Sequence, residues 1–154
     1  MQSEKNLLYF EDLNAGSVFE LGTVALTREE IVNFSRQYDP QPFHLDEVAA
    51  IPIFGGLIAS GWQTVSLFQR LLVDGFLCDV ACLGSPGVND IRFLRPTFAG
   101  KPISGRLTIG EKRLSKSRPD RGSVTLKCAM LDEEGEAVFT MNGLVIIACT
   151  PKES

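Results

Sequence analysis

Four strand-like segments follow one another in the second half of the chain, and their order constrains the fold more than any other feature. They cover residues 88–96, 101–114, 124–132 and 137–148. Several alternate apolar and polar residues, as in residues 123–128 (SVTLKC), and short turn-forming stretches separate them. Consecutive strands joined by short turns pair in opposite directions, so this half predicts an antiparallel sheet.

The first half of the chain carries one strand pattern and several helical ones. Residues 17–25 predict a strand, and Thr27 with Glu30 forms a capping box that opens a helix, which Pro40 ends. Residues 62–73 are apolar on more than one face, which predicts a helix buried on most sides. Helices followed by strands indicate an α+β fold, with a five-stranded antiparallel sheet wrapped around one central apolar helix.

Length and charge narrow the class of protein. The 154 residues suit a single domain over 1–154, with frayed ends at 1–8 and 151–154. A net charge of −4 without a lysine and arginine block argues against a nucleic-acid partner. No apolar run approaches the roughly 20 residues of a membrane span, and no signal peptide is visible. We therefore expect a cytoplasmic protein that does not contact membranes.

Cysteine and histidine usage bears on metals and redox chemistry. None of the four cysteines forms a C-x-x-C pair, and one histidine cannot build a multi-histidine site. We expect the cysteines to be reduced and apolar in character, with no disulfide and no metal site. Their positions are Cys78, Cys82, Cys128 and Cys149.

The stretch from Tyr38 to His44 carries the only histidine, five residues after Asp39, with two prolines between them. Proline fixes φ and biases the preceding residue away from helix, so we expect a rigid loop. A rigid loop with one carboxylate and one imidazole suits acid–base chemistry. From the residues alone, catalysis by Asp39 and His44 competes evenly with a turn-forming aspartate and a structural histidine.

Three stretches resemble the MaoC-like dehydratases, a family of the hotdog-fold superfamily that includes the (R)-specific enoyl-CoA hydratases. Residues 39–44 (DPQPFH) match the family's D-x-N-P-x-H core. Residues 58–66 (IASGWQTVS) are similar to its I-x-H-G-M-x-x-x-S segment, and residues 84–96 resemble the strand that follows. The chain departs at Gln41 and Ser60, where the family has asparagine and histidine. The resemblance implies a single hotdog domain.

The resemblance also implies an activity, the reversible hydration of a trans-2-enoyl-CoA thioester to an (R)-3-hydroxyacyl-CoA by a hydro-lyase. Asp39 and His44 would hold and deprotonate a water and return a proton to C2. Ser66 matches the family's helix serine, which helps to orient this pair. A helix serine is equally often only a satisfied hydroxyl.

The thioester oxyanion needs hydrogen-bond donors, and a helix N-terminus offers free backbone N–H groups. We therefore expect the N–H of Gly61 to meet the oxyanion, with Gly56 as the second choice. Ser60 lies beside them, either against the substrate or as the N-cap of the helix.

The remaining expectations concern ligands and assembly. No cofactor is implied, because coenzyme A is part of the substrate; the acyl carrier can be coenzyme A or acyl carrier protein. We expect a homodimer or a dimer of dimers, since an exposed sheet edge gains from pairing. The alternatives are a hotdog acyl-CoA thioesterase and a non-catalytic module that binds acyl thioesters. A cluster of basic residues has two interpretations, a binding site for the phosphates of coenzyme A and a solvated hairpin tip, and we favour the second. The cluster consists of Lys112, Arg113, Lys116, Arg118 and Arg121.

Overall fold

A computed structural model describes residues 6–153, and one five-stranded sheet dominates it. The order of strands across this sheet is 1-3-4-5-2 in chain numbering, and every neighbouring pair is antiparallel. The predicted antiparallel sheet of five strands is confirmed. The strands are β1 (Val18–Val24), β2 (Cys82–Phe93), β3 (Ile103–Leu114), β4 (Arg121–Leu131) and β5 (Ala137–Ala148).

The helices lie between β1 and β2 in the chain. They are α1 (Arg28–Tyr38), α2 (Pro42–Leu45), α3 (Glu47–Phe54) and α4 (Gly61–Gly75), and short 3-10 turns occupy Phe10–Asp12 and Leu77–Asp79. The longest, α4, is the predicted central helix. It buries Phe68, Leu71 and Leu72 in the same core as the inner face of the sheet.

The core follows the period of two expected for strands that bury one face. Along β4 and β5 buried residues alternate with less buried ones, and Met130, Phe139 and Ile147 are fully buried. Burying a large apolar side chain contributes about 1.5–3 kcal/mol, so these central strands and α4 hold most of the apolar stabilisation.

The central helix is amphipathic, which differs from the prediction of a helix buried on most sides. Trp62 is 60 % exposed, and Gln69 and Arg70 are exposed as well. The sheet covers only one face of α4, so the apolar residues outside that face remain in contact with solvent in a single chain.

The segment around the prolines also differs from its prediction. Residues 42–45 form the helical turn α2, with Pro42 in its first turn, rather than an irregular loop. Proline is compatible with a first helical position, where its missing N–H has no intrahelical role and its φ already suits a helix. His44 therefore lies on a short helix.

The edge strand β2 begins at Cys82, six residues earlier than predicted. Its first half contains Gly84 with φ 120° and Pro86, which resembled a turn in the sequence. β2 pairs only with β5 and shifts register three times along it, and such bulged edge strands tolerate proline and glycine. The other predicted strands agree with the structure to within a few residues at each end.

The chain ends test the predicted fraying in part. Residues 1–5 and 154 lie outside the described residues, so the prediction is open there. Leu8 was expected to be frayed, but it bridges to Val80 and its N–H donates to the carbonyl of Asp79 at 2.8 Å. Residues 151–153 belong to no regular element.

Candidate active site

The end of α1 positions Asp39. Its N–H donates to the carbonyl of Ser35 at 2.9 Å, which makes Asp39 the C-cap, as the sequence predicted. Pro40 follows and cannot continue the helical hydrogen bonds, so the chain leaves α1 at this residue. The aspartate is thus held on one side by a rigid helix and on the other by a proline.

The neighbouring turn α2 positions His44, whose side chain is buried. Its Nδ1 lies 2.8 Å from the carbonyl oxygen of Ile58, and the ring of Phe43 packs edge-on against it at 4.6 Å. A carbonyl oxygen only accepts, so Nδ1 carries a proton. The remaining nitrogen, Nε2, therefore carries the free lone pair of the neutral ring, and it lies 3.3 Å from Oδ2 of Asp39.

Both oxygens of Asp39 accept hydrogen bonds from neighbouring side chains. The hydroxyl of Ser60 donates to Oδ2 at 2.7 Å, and the amide Nε2 of Gln41 donates to Oδ1 at 2.7 Å. The Ser60 bond is the main reason that the pKa of Asp39 is lowered; desolvation opposes it, and Gln41 and His44 add to it. Asp39 is therefore an ionised carboxylate at neutral pH.

The N-terminus of α4 lies beside this pair. Ser60 is its N-cap, since its Oγ accepts from the N–H of Trp62 at 3.3 Å. Within the described residues, the N–H of Gly61 has no hydrogen-bond partner. A Cβ on Gly61 would lie 2.6 Å from the ring of Phe93, so any larger residue at this close approach would have to displace that ring. Gly61 thus combines a free donor with a packing constraint.

These groups line a cavity of about 380 Å³. Asp39, His44 and Gly61 all line it, and apolar side chains supply most of the remaining wall. A largely apolar cleft with a few convergent polar groups is the usual form of a small-molecule site. The full lining is Asp39, Gln41, His44, Phe54, Ile58, Ala59, Gly61, Trp62, Thr64, Phe93, Leu94, Arg95, Pro96, Thr97 and Val138.

The structure brings four of the six candidate residues together: Asp39, His44, Ser60 and Gly61. Ser66 lies elsewhere, on the exposed face of α4, where its hydroxyl donates to the carbonyl of Trp62 at 2.8 Å. Gly56 packs near the ring of Phe98 and is not part of the cavity lining. Neither Ser66 nor Gly56 lines the cavity that Asp39 and His44 share.

Sequence reasoning missed several residues of the site. Gln41 was noted only as a departure from the family pattern, although an amide two residues from an aspartate is well placed to bond it. Thr64 and Thr97 share a buried hydrogen bond of 3.3 Å in the cavity wall, and Arg95 lies at its edge. Thr97 and Arg95 come from the segment after β2, so only the tertiary fold could assign them.

The basic cluster lies at the far end of the sheet from this cavity. Its residues flank the turn between β3 and β4, whereas the cavity meets the opposite ends of β2 and β5 at Phe93 and Val138. Arg113 pairs with Glu111 and Arg121 with Asp120 on the surface. Within one chain this favours the solvated hairpin tip over a contact with a ligand in the cavity.

Comparison with known proteins assigns the family. The family model described as the MaoC like domain matches residues 14–129, more than half of the chain. The crystal structure of a MaoC-like dehydratase from Rhodospirillum rubrum superposes with a TM-score of 0.87 at 36% identity, covering 94% of this chain and 99% of that one. This chain belongs to the MaoC-like dehydratase family.

Two further proteins are similar to this chain, one in sequence and one in fold. Protein YdeM from Bacillus subtilis (strain 168), described as uncharacterized, is 26% identical over 131 residues, 84% of this chain and 91% of YdeM. The unliganded (R)-hydratase PhaJ1 from Pseudomonas aeruginosa has a TM-score of 0.71 at 22% identity over 95% of each chain, a likeness of fold. The sheet wrapped around α4 is therefore a hotdog fold, as the resemblance implied. Family and neighbours support the general hydro-lyase class.

None of the helices within residues 6–153 combines the length and apolar character of a membrane-spanning segment. In the same part of the chain, no group of three or more histidine, cysteine, aspartate or glutamate side chains is arranged to hold a metal ion.

Proposed function

We propose that this MaoC-like protein catalyses the reversible hydration of a trans-2-enoyl-CoA thioester to an (R)-3-hydroxyacyl-CoA. The observation that carries the proposal is the Asp39–His44 pair, with Oδ2 and Nε2 3.3 Å apart at the wall of a cavity. Hydrogen bonds hold both side chains in place, and they leave Nε2 of His44 available to exchange a proton with its surroundings. The free N–H of Gly61, at the start of α4, lies next to the pair.

The pair has the two functions that hydration needs. Water attacks C3, the O–C3 bond forms, one proton leaves the water and another joins C2 as the double bond is lost. Nε2 of His44 and the Asp39 carboxylate exchange these protons as one coupled unit, so the site carries no net charge change over the cycle. The Nδ1–H bond to Ile58 keeps Nε2 available throughout.

The N–H of Gly61 is the proposed donor to the thioester oxygen. Negative charge accumulates on that oxygen as water adds, and a preorganised donor at a helix N-terminus stabilises it without reorganising. Support comes from the position of Gly61 in the cavity lining and its unpartnered N–H. Ser60 does not compete for this oxygen, because its proton is bonded to Asp39.

The test is hydration of crotonyl-CoA, followed as loss of the conjugated-enoyl absorbance, in wild type, Asp39→Asn and His44→Ala. Loss of a general acid or base costs about 10²–10⁴ in rate, so both variants should be reduced by that much. Asp46→Asn is the matched control. Asp46 caps α3 by accepting from the N–H of Val48 at 2.9 Å, lies outside the cavity lining, and asparagine caps equally well.

Other outcomes of the same assay would point to the alternatives. Release of free thiol from crotonyl-CoA or butyryl-CoA, without hydration, would identify a thioesterase. Tight binding of acyl thioesters by a folded protein with no turnover would identify a binding module. Hydration of enoyl thioesters by Asp39→Asn at the wild-type rate would overturn the proposed role of the pair.

We also propose that the protein acts as a homodimer. The edge strand β2 leaves one row of backbone groups unpaired, and Leu83, Val88 and Phe93 on it are about half exposed. Pairing this edge with a second copy would satisfy those groups and cover the apolar side chains. Light scattering coupled to size exclusion tests this, and a stable monomer that retains activity would contradict it.

A further inference from the structure

We propose that three phenylalanine rings close the inner end of the active-site cavity and restrict the substrate to short acyl chains. We call Phe68, Phe93 and Phe139 the phenylalanine wall. The inference rests on the proposed hydration of an acyl thioester and adds to it the class of acyl group and the residues that select it.

The three rings are in continuous contact. Phe93 lines the cavity and stacks on Phe139 with ring centroids 6.1 Å apart and planes at 26°. Phe139 in turn packs against Phe68 at 5.8 Å. Phe68 and Phe139 are fully buried, whereas Phe93 is about half exposed. Two of the three rings therefore have no room to move aside for a ligand.

A second cavity lies beyond the wall. It has a volume of about 210 Å³ and a mainly apolar lining, and it is enclosed by α4, β2, β4 and β5. Val88 and Gly84 contribute to it where β2 shifts register against β5. Its lining is Gln69, Leu72, Leu77, Cys82, Gly84, Ser85, Val88, Leu126, Cys128, Met141, Gly143 and Val145.

The periodicity of α4 and β5 places the wall between the two cavities. On α4, Thr64 lines the first cavity and Leu72 the second, and Phe68 lies midway on the same helix face. On β5, Phe139 lies two residues before Met141 on the same strand face, and Met141 lines the second cavity. Neither Phe68 nor Phe139 is part of the described lining of either cavity, and this periodicity places both rings between the two cavities.

This arrangement predicts a limit on chain length. An acyl group entering at Asp39 and His44 meets the rings and cannot reach the second cavity. Each methylene that finds no apolar space weakens binding of the longer chain by about 1–3 kcal/mol, which is equivalent to about 10–200-fold in affinity. Shortening one ring would join the cavities and give a longer chain an apolar channel.

The experiment measures binding of butyryl-CoA and octanoyl-CoA, which cannot be hydrated, by calorimetry. We expect wild type to prefer butyryl-CoA, and Phe139→Leu to raise the octanoyl-to-butyryl affinity ratio by at least about tenfold. The matched control is Phe76→Leu. Phe76 is also buried, packs on Phe19 at 5.0 Å, and lines neither cavity, so this ratio should stay at the wild-type value.

The outcomes separate the wall from the proposed function. An octanoyl-to-butyryl ratio that is unchanged in Phe139→Leu, or that rises equally in Phe76→Leu, would overturn the wall. If Phe139→Leu does not fold, Phe93→Leu provides the same test, because its half-exposed ring contributes less to the core. The expected shift in ratio without any hydration by wild type would keep the wall and overturn the hydratase. Binding of neither thioester would overturn both.

Discussion

The N-termini of α1 and α4 are both capped by a hydroxyl, but only that of α4 borders the cavity. Thr27 accepts from the N–H of Glu30 at 3.1 Å, and the N–H of Thr27 donates to the carboxylate of Glu30. The two bonds close a capping box on the surface. Ser60 accepts from the N–H of Trp62, but it is fully buried and its hydroxyl donates a hydrogen bond to Asp39.

The two helices differ in the first residue after each cap. At α1 this residue is Arg28, an exposed side chain that pairs with Glu47, and the capping residues satisfy each other. At α4 it is Gly61, which leaves an N–H open to the cavity. A cap that closes on itself contributes only to helix stability, whereas Ser60 couples helix stability to the charge of the carboxylate.

The largest expected difference comes from alanine at the first residue of each helix. In Gly61→Ala the new Cβ must displace the ring of Phe93, which also moves the edge of the cavity. Alanine keeps the backbone N–H, but its Cβ narrows the approach of the thioester oxygen to that donor, so we expect kcat for enoyl-CoA hydration to fall by up to about 10², the size of an oxyanion-donor effect. The half-exposed ring can turn outward, so the stability cost should stay near 1 kcal/mol, the low end for overpacking.

Arg28→Ala is the control for that variant. It removes an exposed ion pair, which is worth at most about 1 kcal/mol, and should not change the kinetics. Denaturant melts and steady-state kinetics on both variants make the test. Normal activity in Gly61→Ala would show that hydration does not need the open space beside this N–H or the present position of the Phe93 ring.

The second difference concerns the caps themselves. Ser60→Ala and Thr27→Ala should each lose about 1 kcal/mol of stability, the usual cost of removing an N-cap. Only Ser60→Ala should move the acid limb of the kcat/KM profile. Because the Ser60 bond lowers the pKa of Asp39, its loss raises that pKa, and the limb shifts to higher pH.

Stability against acid should have the same sign. A lowered pKa means that the Asp39 carboxylate stabilises the fold at pH values above its ordinary pKa, and this contribution is lost as pH falls through the lowered value. Ser60→Ala should therefore lose this stabilisation at a higher pH than Thr27→Ala. Equal acid limbs in the two variants would mean that the Ser60 bond does not control the charge of Asp39.

The smallest expected effect is that of Ser66→Ala, six residues after the cap Ser60. The Ser66 hydroxyl bonds the carbonyl four residues earlier on an exposed face, an arrangement that adds little to a helix. Because alanine is the better helix former, we expect stability to change by less than about 0.5 kcal/mol. Hydration kinetics should be unchanged. A large loss of activity in a folded variant would restore the orienting role that the resemblance implies for Ser66.

Much of this site was predictable because its determinants are local. The capping box at Thr27, the end of α1 before Pro40, and Asp39 as the residue just beyond it all depend on short-range rules. The likeness of residues 39–44 to a family motif then indicated that Asp39 pairs with His44, the only histidine of the chain. The hydrogen bond from Gln41 to Asp39 was not predicted, because it depends on a side-chain rotamer that the sequence does not specify.

Longer-range features were less accessible. Turn-forming residues at the start of β2 concealed a strand that exists only because β5 pairs with it. The apolar faces of residues 62–73 suggested full burial, but the sheet covers one face only, and Trp62 stays exposed in a single chain. Patterns of apolar residues specify that a surface will be covered, without specifying which element covers it.

By itself, the sequence determined the order of helices and strands, the antiparallel sheet, and the presence of an aspartate and a histidine held near prolines. These depend on periodicity, capping and backbone restriction, which act within a few residues. The tertiary structure decided that Ser60 rather than Ser66 meets Asp39, that Ile58 sets the proton on His44, and that the rings of Phe68, Phe139 and Phe93 pack in continuous contact. Those contacts join residues that are distant in the chain, so they exist only once α4 has packed on the sheet.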